Sequence, residues 1–93
     1  MDKQKELRSV YLESVYDKRK SFYRKAYIIF TDNTQILYSY GTKVAKIENE
    51  IAVVYGKYSQ ITSRHIKEFL LQNNFKAENM KQMLRDYKCI YEK

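Results

Sequence analysis

The sequence predicts an α+β domain with an N-terminal helix, a three- to four-stranded antiparallel meander and two C-terminal helices packed on the sheet. Three observations predict it. The chain has 93 residues, which suits one domain with a single modest core. Its middle is rich in β-branched and aromatic residues interrupted by turn formers, and its last third returns to a helical period.

Leu7, Val10, Tyr11 and Val15 stand at helical spacing, so a helix is expected from about residue 4 to about residue 16, followed by a charged connector over Asp17–Lys20. From Ser21 the residue types change to "SFYRKAYIIFT", "QILYSY", "TKVAKIE" and "IAVVYG". These runs read as strands separated by Asp32-Asn33, Gly41 and Asn49-Glu50, and such short connections require antiparallel pairing. Gly41 marks either a turn or a bulge inside one long strand, which leaves three strands or four.

After Lys57 the apolar period lengthens. Thr62, Ile66, Phe69, Leu70 and Asn73 line one side of a helix, with Arg64, Lys67 and Glu68 on the other. Ser59 or Thr62 can cap its N-terminus through a side-chain oxygen. Ala77–Tyr91 repeats the pattern with Met80, Met83, Leu84, Tyr87 and Tyr91 on one stripe. With no Pro, two Gly and no linker or internal repeat, residues 1–93 read as a single domain.

Composition narrows the function classes. A hydrophobic content of 44% with 15% aromatics belongs to a folded chain rather than a basic tail. One cysteine, Cys89, and one histidine, His65, leave no internal disulfide framework and no Cys/His zinc site within the chain, so no cofactor and a reducing, cytoplasmic setting are expected. The longest uncharged apolar run, Ala26–Phe30, is far too short to span a bilayer, and the N-terminal residues lack the apolar segment of a signal peptide. Cys89 reads as a small semi-buried hydrophobe, and Met80 and Met83 as gap-filling core residues.

His65 lies in "YSQITSRHIKEFLLQNNF", between Arg64 and a lysine two residues on. Catalysis would require a second histidine, a nucleophile with an orienting acid, or a metal cluster, and none is legible nearby. "HIK" has the form of the His-x-Lys of phosphohistidine phosphodiesterases, but the second copy that chemistry needs is missing. His65 is therefore expected to pack at a helix–sheet seam, and the protein is not expected to be an enzyme.

The net charge is +7, and residues 18–47 hold seven basic residues against Asp32 alone. Within that span Arg19, Lys20, Arg24 and Lys25, with Tyr23 as an aromatic anchor, form the first candidate binding cluster. Arg64 and Lys67 form a weaker second patch. Cations interleaved with aromatic rings suit phosphates and splayed bases, and tyrosine with arginine equally suits a protein-binding hot spot. The same lysines would also keep a tyrosine-rich sheet soluble. The α-β-β-β-α order invites comparison with a double-stranded-RNA-binding domain, but the matching helix offers only Arg64 and Lys67, offset by Glu68.

"KSFYRKAYII", "LYSYGTKVAKIE" and "YSQITSRHIKEFLLQNNF" resemble a family of short proteins encoded by phages and other mobile elements of Gram-positive bacteria, over roughly residues 20–75. Family members often carry Gly where this chain has Arg24, and an acidic residue or Asn where it has Gly41. The resemblance implies a bacterial cytoplasm and supplies no catalytic residues. The resulting expectation is a non-enzymatic accessory protein that binds a host protein or nucleoprotein complex through a basic, tyrosine-rich surface. It would inhibit or modulate that target, as an anti-defence, anti-CRISPR-like inhibitor does. The alternative is a regulator that binds DNA or RNA directly.

Overall fold

The computed structural model describes residues 8–18, 22 and 24–87. Five strands in the order β1-β2-β3-β4-β5 form one antiparallel sheet: β1 Arg8–Tyr11, β2 Ala26–Phe30, β3 Thr34–Ser39, β4 Thr42–Glu48 and β5 Ile51–Val54. Two helices follow, α1 Gln60–Gln72 and α2 Met80–Tyr87.

This corrects the sequence expectation at the N-terminus. Residues 8–11 are an edge strand rather than part of a helix, and the sheet has five strands rather than three or four. The portion of the expected helix before Arg8 lies outside the described residues. Val10, Tyr11 and Val15 fit a helical period, but Ser9–Tyr11 equally fit a period of two, and pairing decides between them. Val10 lies opposite Ile28 and Tyr11 opposite Tyr27, so β1 gains a full ladder against β2.

The connections follow from local backbone chemistry. Tyr40 and Gly41 both have positive φ, 53° and 82°, as do Asn49 and Glu50, 52° and 67°. Two consecutive left-handed residues make the tight hairpin turn whose twist matches the flanking strands. Gly41 is therefore a turn residue. The bulge lies elsewhere, where the β3–β4 register shifts so that Leu37 faces Ala45 but Tyr38 faces Lys43. Val44 is the extra residue, and both Val44 and Ala45 are buried. Arg24 also has a positive φ of 61°, a backbone that glycine adopts without strain.

The core lies between the sheet and the helices. Ala26, Ile28, Leu37, Ala45, Ile47, Ala52 and Val54 face Ile66, Phe69, Leu70 and Met83. The helical stripes read from the sequence are the packed ones: Met80, Leu84 and Tyr87 lie against this cluster beside buried Met83. Tyr91 and Cys89 lie outside the described residues. Ser59 caps α1, its Oγ accepting from the Thr62 N–H at 3.3 Å. Among the described residues, no helix is long and apolar enough to cross a membrane.

Candidate binding surfaces

With Ala26, Ile28, Leu37 and Ser39 turned toward the helices, strand alternation sends Tyr11, Tyr27, Ile29, Ile36 and Tyr38 to the opposite face. No described helix packs on that face. The bulge resets the phase of β4, so Lys43 stands beside Tyr38 and Lys46 beside Ile36. A row then crosses the sheet, one residue per strand: Tyr11, Tyr27, Tyr38, Lys43 and, just beyond β5, Tyr55.

The contacts along this row alternate between aromatic and cationic. The Arg24 guanidinium lies over the Tyr11 ring at 5.4 Å, and the Tyr27 and Tyr38 rings stack at 5.2 Å with planes 8° apart. The Lys43 ammonium lies over Tyr55 at 5.2 Å. Cation–ring and ring–ring contacts of this kind pre-order long side chains on a surface. A second row, Ile29, Ile36, Lys46 and Val53, is mainly aliphatic, and Ile51 beyond it is 65% exposed. Lys46 pairs with Glu48 at 3.0 Å.

On the helix side a cleft of about 510 Å³ opens between residues 16–18, the approach to α1, the flank of α1 and the start of α2. Lys18, Lys57, Arg64 and Lys67 line it together with Tyr16 and Tyr58. Arg64 is held by Asp17 at 3.2 Å. Burial raises the Tyr58 phenol above its usual value.

One wall of this cleft is fixed by Glu68, which the sequence placed on the exposed side of α1 but which is buried. Its carboxylate accepts the backbone N–H groups of Val15, Tyr16 and Asp17 at 2.9–3.0 Å, and the Gln72 amide at 2.6 Å. The segment that follows β1 is thereby stapled to α1. Three converging N–H groups replace the hydration that the buried carboxylate loses.

His65 is buried as expected. Its Nδ1 is 2.8 Å from Ser39 Oγ, which is in turn 2.9 Å from Thr62 Oγ1, and the Phe22 ring meets the imidazole edge-on at 4.7 Å. This Ser–Thr–His cluster bridges β3 to α1 inside the core and lines no described cleft. Its chemistry is that of a satisfied packing contact. Among the described residues, no group of three His, Cys, Asp or Glu side chains could hold a metal ion.

The predicted site residues separate in space. Arg24 joins the sheet-face row through Tyr11, whereas Arg64 and Lys67 line the cleft. Lys25 is exposed just before β2, where its carbonyl accepts from the Tyr40 N–H. Arg19, Lys20 and Tyr23 lie outside the described residues. Sequence reasoning missed the row of Tyr11, Tyr27, Tyr38 and Tyr55; the alternation in "YSY" and "AYIIF" was its only trace.

No curated protein and no solved structure matches the chain. Residues 10–86 match the signature of a family of unknown function, DUF8033. That span covers nearly all of the sheet and both helices, and the chain belongs to this family.

Proposed function

We propose that the protein is a non-catalytic binding module that engages a protein partner, alone or within a nucleoprotein complex, through the sheet face on which no described helix packs. The observation that carries this reading is the row Arg24–Tyr11–Tyr27–Tyr38–Lys43–Tyr55 bordering an aliphatic centre of Ile29, Ile36 and Val53. Pre-ordered tyrosines lose little side-chain entropy on binding, and an aliphatic row that carries Lys46 between Ile36 and Val53, beside Arg24 and Lys43 of the tyrosine row, fits a partner patch that pairs apolar and acidic groups. The net charge of +7 favours such a partner at long range as well.

The resemblance to phage-encoded proteins supplies the setting: a bacterial cytoplasm in which the protein occupies a host machine and inhibits or modulates it, defence complexes included. The test is affinity capture from bacterial lysate, with and without nuclease, using the wild type, Ile36→Lys and Lys67→Glu. The reading expects a protein retained after nuclease by the wild type and Lys67→Glu but lost with Ile36→Lys, its affinity then measured with purified components. Equal retention by Ile36→Lys defeats it. The alternative of direct nucleic-acid binding is favoured by a different feature, the lysines of the cleft.

A further inference from the structure

The cleft beside α1 is a second surface, on the opposite side of the sheet from the proposed protein-binding face. Lys18, Lys57 and Lys67 line it, and no described carboxylate lies within ion-pair distance of any of the three. The acids nearby are already engaged. Asp17 is paired with Arg64, Glu68 is saturated by backbone N–H groups, and Glu78 faces Lys76 at 3.7 Å. Among the described residues the field in the cleft is therefore positive, and its three ammonium groups have no carboxylate partner.

The walls add a second requirement. Tyr16 is 60% exposed while lining the cleft, so its ring is open to a flat partner, and the half-buried Tyr58 gives the floor a protonated phenol donor. The wall bearing Tyr16 and Lys18 is held in place by the Glu68 staple at Tyr16 and Asp17, so a ligand does not have to order that segment. Lysines without carboxylate partners next to an exposed ring match the two parts of a nucleotide, a phosphate and a base.

We propose that this cleft binds the phosphate of a nucleotide, free or within a single strand, with Lys18, Lys57 and Lys67 on the phosphate oxygens and Tyr16 stacked on the base. Three lysine contacts to a strand give a salt slope of about −2, so raising salt from about 50 to about 200 mM weakens strand binding roughly twentyfold.

The experiment titrates the full chain with adenosine triphosphate and, separately, with a short oligothymidine at both salt concentrations, by calorimetry. The variants are Lys57→Glu/Lys67→Glu for the cleft, the milder Lys57→Gln/Lys67→Gln in case the first fails to fold, and Ile36→Lys as the sheet-face control. The expected result is binding of at least one probe, weakened tenfold or more by the cleft variants and unchanged by Ile36→Lys. Binding of the triphosphate assigns a free nucleotide, and binding of the oligonucleotide alone assigns a strand. Failure of both probes to bind, or binding that the cleft variants leave intact, overturns the proposal.

Discussion

Glu68→Gln removes one charge while keeping the side chain's shape, and the structure sets the size of the effect. The carboxylate accepts three backbone N–H groups and the Gln72 amide, with Tyr16 shared between its two oxygens. An amide keeps one oxygen. If that oxygen faces Asp17, the new NH₂ faces the donors of Val15 and Gln72; flipped, it faces Asp17. Either way at least one donor is left against a donor, at about 1–3 kcal/mol, and the surviving bonds fall to roughly half their charge-assisted strength. An upper limit also exists. Val15 and Tyr16 are 63% and 60% exposed, so the segment can lift into water and rehydrate its N–H groups instead of suffering the full penalty. The expected loss is about 2–4 kcal/mol, a large part of the roughly 5–15 kcal/mol typical of a domain. For a chain of this size that lowers Tm by roughly 10–20 °C. Urea and thermal unfolding measure the loss, and amide exchange locates it at residues 15–17. A change below about 0.5 kcal/mol, or unaltered exchange at those amides, would refute the staple.

Other outcomes follow from the same geometry. Phe69 is fully buried, so Phe69→Ala is expected to cost about 3–5 kcal/mol in chemical denaturation. Gly41→Ala meets no atom within 4 Å, so only the φ of 82° opposes it; the loss should be about 1 kcal/mol, read as a small fall in Tm. The Gln82 amide, followed by Arg85, lowers the Asp86 carboxyl below its usual value. A depressed acid stabilises the fold above its unfolded pKa and loses that contribution as pH falls through the folded one. Asp86→Asn should therefore flatten the stability profile below pH about 4 and leave its shape near neutrality unchanged, as pH-dependent melts would register.

The helices and the inner strands were legible because each carries a period of its own. Ile66, Phe69 and Leu70 mark α1, and the turn formers Asp32, Asn33 and Asn49 end their strands, Asn49 with the left-handed backbone that Asn tolerates. β1 was not legible because all four of its residues are exposed, so burial gives no alternation to read, and only pairing with β2 selects the extended form. The sheet-face row was hidden for a related reason. Which tyrosines share a face depends on register between strands, and the Leu37/Tyr38 shift moves Lys43 next to Tyr38 in a way no single strand encodes. Glu68 was misplaced because helical phase counts only the helix's own faces. The segment that buries it comes from residues more than 50 positions earlier.

The sheet face on which no described helix packs is tested most directly by side-chain NMR of the protein titrated with its captured, purified partner, observing isoleucine methyl and tyrosine ring resonances. The account predicts that Ile29, Ile36, Tyr27 and Tyr38 shift or broaden while Ile66, on the core-facing side of α1, keeps its position. Perturbation confined to Tyr16 and Tyr58 in the cleft, with the sheet-face resonances unmoved, would contradict it.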